Sequence, residues 1–418
     1  MIHTDMGIPG IIRFTTYILL LQAGPAYANY HTYDPENRLQ TSTRADILQL
    51  TQVYDAVGNL RRSTDANNHT TVNDYDAANA LIREIRPQGA VTTLVRDALG
   101  NVVTEQRPAG RNITRSFDAR GRVLTETNHA QETTSFDYDD NDNLIQTTRP
   151  NGSVWQRDYD TANRLIGITD PEQNHWSYGY DQNDNRSSHT DANGHTTTQD
   201  YDNRNRLISI TYPDTSTETF TYDATGNLRT STDANAQTTT HDYDQRNRRI
   251  QTSYSGASGD AIASMDFSYD ANSNLTQVEL TTASGEQRTS LRQYDAFDRL
   301  EIITDRFGNR LQYGYDANGN RRQLIDHNNR VTQYSYDELN RLRSINAPLA
   351  GQVVYGYYNN SQLRQIDWPN GIRSHYQYDG AERIASIQHQ LAASSFAEAQ
   401  YDYDLNGNRS QQIITQGT

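Results

Sequence analysis

Cysteine is absent from this chain, which excludes disulfides and thiolate metal sites. Lysine is absent too. All 37 basic residues are arginine, so no lysine amine is available for Schiff-base chemistry. Large aliphatic side chains are scarce: leucine, isoleucine, valine and phenylalanine together number 74 in 418 residues. That is too few to fill the core of a large α/β enzyme and falls in the range of disordered chains. Positive charge is in deficit, with a net charge of −15 and arginines scattered along the chain. Nucleic acid is therefore a poor partner. Against disorder stand 28 tyrosines, each able to bury a large ring.

Order comes from a 21-residue period. Its marker is Tyr-Asp, then a turn, then an aliphatic residue. It begins at Tyr33, Tyr54 and Tyr75, passes through the variants Arg96-Asp97 and Phe117-Asp118, and continues at Tyr138, Tyr159, Tyr180, Tyr201, Tyr222 and Tyr243. Steps of 26 and 25 lead to Tyr269 and Tyr294. The 21-residue step then resumes to Tyr378, and a final step of 25 reaches Tyr403, giving 18 copies between residues 33 and 409. Ten consecutive equal steps do not arise by chance.

Each copy reads as two short strands and two turns. Tyr138-Asp139, Tyr222-Asp223-Ala224-Thr225-Gly226 and Tyr315-Asp316-Ala317-Asn318-Gly319 are representative. Four residues after the marker stands Gly, Asn or Asp in 15 of 18 copies, the types that best tolerate positive φ. The marker aspartate can cap the backbone N–H groups of that turn. A β-branched stretch such as Leu207-Ile208-Ser209-Ile210-Thr211 returns the chain as a strand. A second turn follows, seen in Asp191-Ala192-Asn193-Gly194. Seven of the ten prolines fall twelve residues after a marker, where proline presets the first corner of a turn. The expected fold is all-β: a long antiparallel sheet of about 18 hairpins coiled into a partial hollow shell.

A 42-residue pattern overlies the shorter one. The residue five after the marker alternates Arg and Asn, as in Arg164, Asn185, Arg206 and Asn227. Two before the marker, the Asn-type copies carry Phe136, Tyr178, Phe220, Phe267, Tyr313, Tyr355 and Tyr401. The Arg-type copies are mostly polar there, with Arg157, Gln199, His241 and Arg292. This predicts that neighbouring hairpins are staggered, one class toward the middle of the strip and burying its ring, the other toward a rim.

Tyr-Asp-x-x-Gly-Arg/Asn-Leu at this spacing resembles the RHS/YD-repeat family, which includes bacterial polymorphic toxins, the cocoon subunits of Tc toxins and the YD shell of teneurins. The resemblance covers residues 33–409. It implies a β-strip that spirals into a hollow shell, in toxin members around a C-terminal effector that the shell's own aspartyl autoprotease cuts off. The Asp-Pro-x-Gly-Leu type segment that ends the shell core in toxin members has no counterpart: Asp34-Pro35-Glu36 and Asp170-Pro171-Glu172 do not match it and lie in ordinary repeat turns. No effector or receptor module is expected beside the repeats. No catalytic residue is carried over, and the expectation is a partial shell without enzymatic activity.

Residues 1–28 stand apart. Arg13, the apolar run Phe14–Leu21 and Ala26-Tyr27-Ala28 read as a secretory signal peptide, leaving 29–418 as the exported shell segment. The run is too short for a stable membrane span. No histidine pair has zinc spacing, and no cofactor is expected. Asp316–Asn320 and Asp404–Asn408 resemble the start of a calcium loop but lack its glutamate at position twelve. The runner-up function is a carbohydrate-binding surface adhesin, with Tyr178, Tyr313, Tyr355 and Tyr401 as the rings that would stack on sugar. Expected partners are another RHS chain or a separately encoded effector at the open shell ends, or a cell-surface glycan.

Overall fold

The computed structural model describes residues 29–44, 47–392, 394–404 and 408–416. The proposed signal peptide, residues 1–28, lies outside them, as does Gly407. Thirty-six strands run from β1 (Asn29–Tyr33) to β36 (Arg409–Gln416), interrupted only by two short 3₁₀ turns, Pro87–Gly89 and Pro108–Gly110. Each strand pairs antiparallel with the one before and the one after it, so the whole chain is one uninterrupted meander. The first and last strands stay unpaired on their outer sides, and the sheet does not close on itself.

Composition explains why one layer suffices. Alternate residues of β19 (Thr217–Tyr222) divide cleanly: Thr217, Thr219 and Thr221 are exposed, whereas Glu218, Phe220 and Tyr222 are half-buried. Only Ala90, Ile302 and Ile366 are fully buried apolar residues among those described. No second layer covers the sheet, so the scarcity of aliphatic residues is no deficit.

Curvature is built into every repeat. The ladder shifts register immediately before each marker position, between Thr221 and Tyr222 in β19 and at the same place in its neighbours. A bulge there increases local twist, and identical bulges make the strip coil evenly. The coil returns onto itself after twelve repeats. The second turns of repeats 1, 2, 3 and 5 meet the marker turns of repeats 13, 14, 15 and 17, through Arg44–Asp298, Asn67–Asp316, Gln88–Arg341 and Glu132–Arg383. Twenty-four strands at about 4.8 Å make a circumference of about 115 Å, hence a coil about 37 Å across.

The staggering expectation fails. Marker turns of both classes lie on one rim and all second turns on the other. Phe136, Phe220, Phe267, Tyr313 and Tyr355 are half-buried, but so are Arg157, Gln199 and Arg292, and His241 is buried at 8% exposure. All these positions share the face of the marker side chain. Two of the polar ones have partners there: Arg157 Nη1 donates to Thr147 Oγ1 at 3.1 Å, and His241 Nδ1 lies 3.0 Å from Thr252 Oγ1.

Candidate functional site

Two rims and the seam between them carry the organised chemistry. At the marker rim, Asp223 shows how a turn is made. Its Oδ1 accepts from the backbone N–H groups of Thr225 and Asn227, both at 2.9 Å, and its Oδ2 accepts from Asn227 Nδ2. Asp139 and Asp316 cap their turns in the same way. The residue four after the marker has positive φ in all seventeen described copies, including Gly226 at 98° and Gly319 at 87°. Side-chain hydrogen bonding holds several turn carboxyls low, at the marker turns of Asp202 and Asp223 and at the second turn of Asp326. Arg206 draws Asp202 from 3.8 to about 2, Asn227 does the same for Asp223, and Arg330 does so for Asp326.

The Arg/Asn alternation is a ladder between neighbouring turns. Arg206 donates to Asp202 in its own turn, reaches the carbonyl of Asp223 in the next, and lies 4.5 Å above the ring of Tyr222. Asn227 then donates to Asn247 Oδ1 at 3.0 Å in the following Arg-type turn. Where arginine arrives, the receiving corner residue is Gly, an acid or Ser: Arg38 packs over Gly58, Arg164 reaches Asp184 at 2.6 Å, and Arg248 donates to Ser273. Marker tyrosines bolt repeats together on the face below. The hydroxyls of Tyr138, Tyr222 and Tyr315 donate to the carbonyls of Val123, Leu207 and Leu300 in the preceding repeat, at 2.7 to 3.0 Å. Desolvation pushes all three phenols above 10.

The second turn repeats the same geometry, which sequence reasoning missed. Asp233 Oδ1 accepts from the N–H groups of Asn235 and Gln237, and Ala236 takes φ 62°. Gln131, Gln173 and Thr215 adopt the same conformation. The recurring Asp at that corner was the available signal, but the varied third residue concealed it.

At the seam, Asn67 Nδ2 donates to Asp316 Oδ2 at 3.1 Å, and Asn318 Nδ2 donates to Asp65 Oδ2 at 2.7 Å. A cavity of about 390 Å³ lies there, between His69 and Gln88 of the first coil turn and Asp337, Arg341, Tyr355 and Tyr357 of the second. The calcium-like carboxylate of Asp316 is thus occupied by hydrogen-bond donors. Among the described residues, no group of three or more His, Asp or Glu could hold a metal ion. No described helix is long and apolar enough to cross a membrane.

Of the four tyrosines singled out for sugar stacking, Tyr355 lines the seam cavity. Tyr178 stacks on His189 at 5.3 Å, and Arg409 lies 5.5 Å from the ring of Tyr401. All four, Tyr313 included, are half-buried.

Comparison with known proteins follows this geometry. The Teneurin YD-shell family matches residues 91–253 and 231–333, and the RHS repeat matches 315–352. The chain belongs to the RHS/YD-shell family. It is similar to a chain of the Tc holotoxin pore of Photorhabdus luminescens at 14% identity, with a TM-score of 0.77, over 96% of this chain and 26% of that one. A chain of TcdB2–TccC3 lacking its hypervariable C-terminal region gives 15% identity and a TM-score of 0.62, over 93% and 25%. TcdB2–TccC3–Cdc42 gives 16% and 0.55, over 93% and 23%. The chain spans about a quarter of these proteins, and the likeness is one of fold. No curated protein matches it.

Proposed function

We propose that this YD-shell chain is an exported structural scaffold, a shell segment that holds a separately encoded effector polypeptide in its lumen. The observation that carries the reading is the twelve-repeat seam. A strip that only twisted would offer two faces to solvent, whereas one that returns onto itself and bonds there makes a wall with an inside. The capping aspartates are spent on turns, the arginines on the rim ladder and the tyrosines on carbonyls of the preceding repeat. That leaves the repeat chemistry structural.

Export rests on residues 1–28. Expressed with its own N-terminus in a secreting host, the protein should appear outside the cell beginning at Asn29. The scaffold role is tested by co-expressing the chain with the polypeptides encoded beside it and digesting the purified product with protease. A co-purifying chain protected until the shell is unfolded supports the reading. A shell that purifies alone and binds a glycan array through Tyr355 or Tyr178 would replace it with the adhesin.

A further inference from the structure

Both rims carry large apolar side chains at a 42-residue pitch. On the second-turn rim, thirteen residues after a marker, stand Phe307 and Leu349 in turns and Leu391 at the turn end of the strand Ile384–Leu391, exposed at 73%, 80% and 52%. Trp368 and Phe396 flank them, also exposed. On the marker rim, three residues after a marker, stand Val57 and Leu99 at 70% and 73%. Two repeats are four strands, so knobs on either rim are about 19 Å apart. The same marker-rim position has a counterpart inside the molecule. Phe297 and Leu339, again 42 residues apart, belong to marker turns that the seam engages, and there both side chains are half-buried. Arg44 of the first coil turn lies over the ring of Phe297.

We propose that a second copy of this chain docks head to tail, its marker rim at Val57 and Leu99 seated on the second-turn rim at Leu349 and Leu391. The second-turn rim of repeats 15 to 17 continues the rim that repeats 1 to 5 already use in the seam, so the contact extends an interface the molecule demonstrably makes. Pitch and spacing match on both sides. Apolar knobs replace the Asn–Asp and Arg–Glu pairs of the internal seam, as suits a contact that must hold without a covalent tether. The two surfaces differ, so the contact is heterologous and generates open assemblies rather than a closed dimer. This goes beyond the shell reading and does not depend on what the lumen holds.

Sedimentation velocity on the full chain tests it with two double variants. Val57→Asp with Leu99→Asp spoils only the marker rim, and Leu349→Asp with Leu391→Asp only the second-turn rim. The unmodified protein should grow past a dimer as concentration rises, and each variant alone should stay monomeric. Mixing the two variants should give a one-to-one dimer that grows no further, a rescue that no folding defect can mimic. A monomeric unmodified protein, a dimer indifferent to Val57→Asp and Leu99→Asp, or a mixture that fails to pair would each overturn the proposal. None of these outcomes touches the shell reading, which falls instead if the monomer lacks the coiled β-strip in electron micrographs.

Discussion

A single corner residue sets how comfortably each turn is made. Thr215 takes φ 70°, a conformation in which a β-branched side chain is costly, and the turn it closes is otherwise the same as its neighbours. Thr215→Gly should therefore stabilise the protein by about 1 kcal/mol, read from its denaturant midpoint. Gly226→Val makes the reverse change. A Cβ there would meet nothing within 4 Å, so the expected loss of about 1–2 kcal/mol is backbone strain alone. Ala224→Val, two residues earlier, should matter less. The capping aspartates add a pH dependence whose sign is fixed. Asp202, Asp223 and Asp326 fall from 3.8 to about 2 on folding, so between those values the unfolded chain binds more protons than the folded one. Their contribution is present above about pH 4 and is lost as pH falls toward 2. Thermal melts followed by circular dichroism should fall steeply in that window, after a smaller loss of the same sign below pH 6.5 from His241, whose pKa burial depresses.

At the scale of the element, a hairpin is defined by what it gives to the next one. Tyr222→Phe removes the hydroxyl bond to the Leu207 carbonyl and should cost about 1 kcal/mol. Arg206→Lys keeps the charge but loses the planar contact with the Tyr222 ring and the fork to Asp202, so it should destabilise as well. Arg206→Lys in a Tyr222→Phe background should cost nearly what it costs alone, because the ring remains while only the hydroxyl is gone. A double-mutant cycle measures this. Much of this element was legible beforehand: strand, left-handed corner and 21-residue pitch all follow from residue types with local preferences, whereas the bulge before each marker shows only in the ladder. The meaning of the Arg/Asn alternation was not. The sequence pattern suggests that hairpins face different surroundings, whereas Arg206 and Asn227 occupy equivalent places, both reach the following turn, and differ in what they meet there: a backbone carbonyl and a tyrosine ring for Arg206, an amide oxygen for Asn227. A side chain that reaches across to the next turn leaves no periodicity of burial, so no pattern within one strand could have disclosed it.

The whole molecule poses a question that the repeats cannot: what fixes twelve of them to a coil turn? One answer is the accumulated twist of identical bulges. The other is the seam, whose specific pairs would pull a softer strip into register. Removing residues 181–222 separates them, since it deletes one Arg-type and one Asn-type repeat and leaves the rim ladder continuous. If curvature governs, the coil still closes after twelve of the remaining repeats, and each second turn meets a marker turn two repeats farther along the original chain. The absence of cysteine makes this readable. Ala130 lies against Gly380, with a Cβ built on Gly380 only 3.1 Å from that of Ala130, so Ala130→Cys with Gly380→Cys should form a disulfide in the full-length protein. In the shortened chain that bond should fail, and Gln88→Cys with Gly380→Cys should form instead, because Gln88 holds the equivalent corner two repeats earlier. We expect this exchange, since the bulge recurs at every marker while the seam pairs involve at most five of the eighteen repeats on either side. Persistence of the Ala130–Gly380 bond after the deletion would show that the seam sets the pitch and the sheet yields to it.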